Sequence, residues 1–94
     1  MFAKRTDNNH KEIVNALRKL GFSVFDTSGI GKGFPDLVAG KHQKTILIEI
    51  KSSNKAPFTE HQKDFMLNWK GSTVVRIYDL EGIQTLIKIL DNLQ

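Results

Sequence analysis

Asp36-Leu37-Val38-Ala39, then Gly40-Lys41-His42-Gln43-Lys44, then Thr45-Ile46-Leu47-Ile48-Glu49-Ile50-Lys51 is the stretch from which the fold can be read. The two outer runs are apolar, and the segment between them is short enough to close a hairpin. Residues 36–39 and 45–51 are therefore expected to be antiparallel strands. Side chains alternate across a strand, so Ile46, Ile48 and Ile50 share one face while Leu47, Glu49 and Lys51 share the other. Glu49 and Lys51 stand about 6.6 Å apart along the strand, near enough to address one site without direct contact. Asp36 opens the first strand, and the hairpin lays that end beside the Glu49 and Lys51 end of the second. The two carboxylates are expected to converge.

Working outward, Asp7, Asn8 or Asn9 can cap a helix over residues 8–20, whose Ile13, Leu17 and Leu20 recur at helical spacing before Gly21 stops it. Residues 22–27 read as a strand running into the glycine-rich Ser28-Gly29-Ile30-Gly31-Lys32-Gly33, which is too glycine-rich for regular structure. Beyond the hairpin, Thr59-Glu60-His61-Gln62 has the spacing of a capping box and opens a helix that runs to about residue 70 and stops at Gly71. Residues 72–78 form a fourth strand. Asp79 caps a last helix with an apolar stripe of Ile83, Leu86, Ile87, Leu90 and Leu93, and Ile89 lies off its main face. The order is αβββαβα, an α/β chain read as one domain over residues 1–94. No internal repeat or interdomain linker is apparent.

Fourteen Lys and Arg against ten Asp and Glu leave a net charge of +4, which permits a polyanionic partner without requiring one. There is no cysteine, so disulfides and Cys-ligated metals are excluded. No apolar run approaches a membrane span, and no apolar stretch follows residues 1–5 as in a signal peptide; a cytoplasmic location is expected.

Two carboxylates about 4 Å apart repel by roughly 4 kcal/mol at an effective dielectric near 20. A divalent cation is the natural compensator, and an all-oxygen donor set favours Mg²⁺ or Mn²⁺ over Zn²⁺. Such an ion polarises a phosphoryl oxygen and acidifies a bound water, while a neighbouring lysine stabilises charge developing on the phosphate. The reaction class this suggests is phosphodiester hydrolysis.

Gly33-Phe34-Pro35-Asp36 followed by Glu49-Ile50-Lys51 resembles the PD-(D/E)XK nuclease signature. Glu12 before it and Thr59-Glu60-His61-Gln62 after it extend the resemblance to the VRR-NUC (virus-type replication-repair nuclease) group over residues 8–80. The likeness implies a restriction-endonuclease-like core, αβββαβ with an extra C-terminal helix, and a mixed four-stranded sheet. It also implies a Mg²⁺- or Mn²⁺-dependent deoxyribonuclease in which Asp36, Glu49 and the Ile50 carbonyl hold the metal, with Glu12 a further, often water-mediated, contact. Lys51 would orient or activate water and stabilise the transition state, and Gln62 would add a site role to its cap. Stand-alone members of the group resemble Holliday junction resolvases, small phage and bacterial homodimers that cut branched DNA. Thr59 departs from the group's more usual serine. No separate recognition domain is apparent, which favours reading of DNA shape.

Taken singly, Glu49 and Lys51 suit a solvated strand face, Asp36 suits a turn, and Gln62 is explained by its cap alone. The ordered set is what argues for a site. Phe65, Met66 and Trp69 recur at helical spacing and are expected in the core rather than as a base-stacking platform, and His61 is expected on the surface. Lys32, Lys41, Lys44 and Lys55 lie in predicted loops and are candidate phosphate contacts near the site. The alternative function is a non-catalytic DNA-binding or replisome-interaction module on the same fold. The intact Asp36, Glu49 and Lys51 set counts against it, because a binding module has no use for acids facing phosphates.

Overall fold

The computed structural model describes residues 4–53 and 55–92, with side chains from residue 9 onward. Its elements are α1 (Lys4–Lys19), β1 (Ser23–Asp26), β2 (Leu37–Lys41), β3 (Lys44–Ile50), α2 (Glu60–Asn68), β4 (Val74–Ile77) and α3 (Gly82–Asn92). The strands form one mixed sheet in the order β1-β2-β3-β4, antiparallel through the first three and parallel between β3 and β4. A parallel step needs a crossover, and α2 lies within it. The architecture is the α/β, restriction-endonuclease-like arrangement expected.

Alternation divides the sheet into two faces. Val24, Leu37, Ala39, Ile46, Ile48, Ile50, Val75 and Ile77 are buried with Ile13, Val14 and Leu17 of α1 and Ile83, Leu86 and Leu90 of α3 in a single core. Both long helices therefore cover one side. Ile89 is half-buried against that core, contrary to its expected place off the main face of α3, and Leu20 is exposed rather than buried. Leu93 lies outside the described residues. The other face carries Phe25, Val38, Leu47, Glu49 and Arg76, with α2 standing near its Glu49 end.

Several boundaries differ from the sequence expectation for identifiable reasons. α1 begins at Lys4, so residues 7–9 lie inside it; the side chains of Asp7 and Asn8 are outside the described residues. It ends in a Schellman motif: Gly21, at φ 95°, donates to the Arg18 carbonyl at 3.0 Å, and Phe22 donates to the Leu17 carbonyl at 3.1 Å. The hairpin closes on two residues rather than five. His42 and Gln43 both take the left-handed conformation, at φ 55° and 69°, between the paired Lys41 and Lys44. This is the type I′ geometry usually signalled by Asn-Gly, and neither residue announces it. α2 stops at Asn68 because Trp69 is extended. Gly71 instead leaves room for the Trp69 ring, since a Cβ there would fall 2.6 Å from its Cζ2. Asp79 caps α3 as expected, its Oδ1 accepting from the Gly82 N–H at 3.0 Å.

Candidate active site

The site forms where β2 begins and β3 ends. Pro35 is fully buried, and the Thr27 side chain and N–H donate to the carbonyls of Pro35 and Asp36, each at 2.8 Å. These contacts fix Asp36 at the mouth of β2. Leu37 pairs with Ile48, so continuing the antiparallel register by one residue places Asp36 across from Glu49. Asp36 Oδ2 accepts the Ile50 N–H at 2.9 Å, which ties the carboxylate to the strand carrying the other acid. The expected convergence is thus present.

Glu49 is 4% exposed. Burial, and then the neighbouring charge of Asp36, push its carboxyl up to about 7, against a smaller opposing pull from Lys51. Its Oε2 accepts from Gln62 Nε2 at 2.6 Å and lies 3.8 Å from Lys51 Nζ. Lys51 Nζ donates to Gln62 Oε1 at 2.7 Å. The same Oε1 accepts the Thr59 N–H at 2.9 Å while Thr59 Oγ1 accepts the Gln62 N–H at 3.2 Å, completing the capping box. Gln62 therefore caps α2 and at the same time hydrogen-bonds both Glu49 and Lys51.

The glycine-rich approach has a matching purpose. Gly33, at φ 84°, packs so closely on the first turn of α2 that a Cβ would lie 2.1 Å from the His61 carbonyl oxygen. Only glycine lets the strand that delivers Asp36 and the helix that delivers Gln62 approach so closely.

The structure relocates other candidates. Glu12 is exposed and is not gathered with Asp36 and Glu49; among the described residues no three acids or histidines form a metal-sized cluster. At about 100° per residue, Glu12 points away from the stripe of Ile13, Val14 and Leu17. Among the described side chains of α1, Asn9, one turn earlier, reaches the site, donating to the Lys51 carbonyl at 3.1 Å. Its amide carries no motif signal, so sequence reasoning passed over it. Lys41 and Lys44 flank the hairpin turn, at the opposite end of β3 and roughly 20 Å from Lys51. They serve helix ends there: Lys41 donates to the Leu20 carbonyl and lies over the Phe22 ring, and Lys44 donates to the Leu90 carbonyl. The hairpin turn lies at the far end of both strands from Asp36 and Lys51 whatever its length, and that keeps the two lysines away from the site. Lys55 lies in the segment after Lys51, and Lys32 lines a groove with His61, Asp64, Phe65, Asn68 and Trp69.

α2 buries none of its residues completely, so the expectation of a core role for Phe65, Met66 and Trp69 fails. Phe34 instead meets Phe65 edge-to-face with centroids 5.3 Å apart, Phe65 stacks on Trp69 at 5.2 Å, and Trp69 remains 41% exposed. The Phe58 ring, also missed, lies 5.2 Å from Lys51 Nζ.

The model of the family described as archaeal Holliday junction resolvase (Hjc) matches residues 1–69, from before α1 to the end of α2. The chain belongs to this family. Membership implies a resolvase-like nuclease with a role in DNA repair, and the matched stretch contains Asp36, Glu49, Lys51 and Gln62. The match supports the expected resolvase-like kinship at its coarser level and does not itself reach the VRR-NUC group. No curated protein and no solved structure matches the chain. Among the described residues of this resolvase-family chain, no helix is long and apolar enough to cross a membrane.

Proposed function

We propose that the chain is a Mg²⁺- or Mn²⁺-dependent DNA endonuclease, selective for branched DNA and acting as a homodimer with one nuclease domain per chain. The observation that carries this is the pairing of Asp36 with a buried Glu49, with Lys51 next along the same strand face. Two opposed carboxylates and a nearby strand carbonyl suit a hard ion that keeps several waters, so Asp36, Glu49 and the Ile50 carbonyl are the residues to hold it. Bound there, the ion supplies Lewis acidity and a water of lowered pKa. The chain's own part is distinct. Gln62 holds the Lys51 ammonium at a fixed point, where it stabilises negative charge developing on the phosphate. Lys32 and Lys55 contact neighbouring phosphates, and the exposed aromatic edge of α2 lies beside Lys32 for an unpaired base.

Family membership supports branched DNA as substrate, and the ordered motifs keep a kinship with the VRR-NUC group. A four-way junction is resolved by two symmetric cuts, which a two-fold dimer supplies through identical sites. The open sheet face, where Phe25 is 77% exposed, offers apolar surface for that contact. Incubating the purified protein with a four-way junction, a matched linear duplex and a single strand in Mg²⁺, Mn²⁺ or EDTA tests the proposal. Paired, metal-dependent nicks in the junction are expected. Equal nicking of linear duplex removes the branched preference, and binding of the junction without cleavage in either metal leaves the non-catalytic module instead.

A further inference from the structure

Arg76 lies on β4, beyond the residues that match the resolvase family. In the parallel register of β3 and β4 it is the direct partner of Glu49. Its neighbours Val75 and Ile77 are both buried in the core, so Arg76 projects from the same face as Glu49, one strand spacing away. The side chain is exposed and forms no ion pair among the described residues. Its guanidinium lies 5.4 Å from the centroid of the Phe58 ring, the ring that also receives Lys51 Nζ at 5.2 Å.

This placement separates two things that a salt bridge would combine. An arginine paired with Glu49 would be held in position but neutralised, and it would compete with a cation for the carboxylate. An aromatic face holds a guanidinium by the ring quadrupole and leaves its full charge and its hydrogen-bond donors available. Phe58 thus holds two cations, the Lys51 ammonium and the Arg76 guanidinium, against one ring beside the acidic pair. A guanidinium is the side chain best matched to a phosphate by two parallel hydrogen bonds.

We propose that Arg76 binds a backbone phosphate of the DNA strand lying in the site, next to the phosphate served by Lys51, and that Phe58 is its positioning residue. The proposal takes its substrate from the nuclease reading, but its decisive measurement is binding and does not depend on cleavage. The competing role for Arg76 is protection of the sheet edge, since β4 is an edge strand and exposed charge discourages edge-to-edge association.

The test uses the full chain carrying Asp36→Ala, so that no strand is cut, with labelled four-way junction and linear duplex in Mg²⁺ across a range of salt. Adding Arg76→Ala is expected to weaken binding to both DNAs several-fold and to make the slope of log affinity against log salt shallower by about 0.9, the loss of one phosphate contact on duplex DNA. Arg76→Lys should retain the slope while losing part of the affinity. Phe58→Leu should weaken binding less than Arg76→Ala, and Phe58→Tyr should restore it. With Asp36 intact, Arg76→Ala should raise KM on whichever DNA is cut. An unchanged salt slope in Arg76→Ala overturns the proposal, and if melting temperature or solubility falls at the same time the edge role replaces it. If the wild type cuts no DNA while the slope still changes, the nuclease reading fails and the phosphate contact stands. If the wild type cuts no DNA and neither it nor the Asp36→Ala protein binds either DNA, both fail.

Discussion

With its carboxyl pushed up to about 7 from an ordinary 4.5, Glu49 keeps its proton in the folded chain at pH values where the unfolded chain has lost it. Over that window the folded state binds more protons, so stability falls as pH rises. The sign is opposite to that of a salt-bridged carboxylate. The penalty begins above the unfolded value, is complete above about pH 7, and amounts to about 3 kcal/mol at one pKa unit per ~1.4 kcal/mol. Denaturation in EDTA should therefore show a protein less stable at pH 7.5 than at pH 5, with Glu49→Gln flattening that difference. Mg²⁺ should raise the melting temperature of the wild type at pH 7.5 and much less at pH 5. A wild-type profile as flat as that of Glu49→Gln would show that the burial of this acid has been misjudged. Gln62 allows a second separation at the same scale. Thr59→Ala removes only the cap, for about 1 kcal/mol of stability, with turnover nearly unchanged. Gln62→Ala loses a comparable amount of stability and, because it also releases Lys51 and Glu49, should lower kcat by at least tenfold. Equal kcat values for the two variants would reduce Gln62 to a cap.

At the scale of elements, the hairpin turn stands apart from the site in both space and chemistry. His42 and Gln43 hold left-handed conformations that cost L residues with a Cβ about 1 kcal/mol each. The double substitution His42→Asn with Gln43→Gly should gain about 1 kcal/mol in denaturant titration and leave cleavage rates unchanged, given the roughly 20 Å to Lys51. A loss of stability would argue against the I′ assignment. The same turn explains what the sequence made legible. Asp36, Glu49 and Lys51 could be read because strand alternation and hairpin pairing are simple periodic rules. The register could not, because His-Gln carries no turn signature; Lys41 and Lys44 belong to the hairpin turn, which lies at the far end of β3 from Lys51 whatever its length. Gln62 was legible through its cap, whereas Asn9 and Phe58 acquire their contacts only when α1 and the crossover meet the end of β3. Helical periodicity likewise suggested a core role for Phe65 and Trp69; it cannot say whether a short crossover helix packs deeply or lies open on a sheet face.

For the whole molecule, burial is one-sided. α1 and α3 both cover the face that carries Ile46, Ile48 and Ile50, while among the described residues the opposite face has α2 near one end and no second helix. Phe25 on the edge strand β1 and Leu67 on α2 remain largely exposed, at 77% and 82%. If this face closes the proposed dimer, Phe25→Lys should shift the protein to monomer in sedimentation at micromolar concentration. It should also abolish paired cutting of a four-way junction while each chain keeps its fold by circular dichroism. A Phe25→Lys protein that stays dimeric places the contact elsewhere, and a wild type that is monomeric at this concentration and cuts junction and duplex alike removes the dimer altogether.

The close approach of Gly33 to the first turn of α2 has a bearing on how the enzyme comes into being. Asp36 and Glu49 belong to a hairpin of neighbouring residues, which can form from local pairing, whereas Gln62 arrives only with the crossover, and β4 can pair only after it. A half-folded chain would thus already hold its two acids together while its lysine remained untethered. Such a chain would lack the Lys51 tether on which the proposed cleavage depends. In refolding experiments, recovery of cleavage should coincide with the ordering of Trp69, read by its fluorescence, and should never precede it.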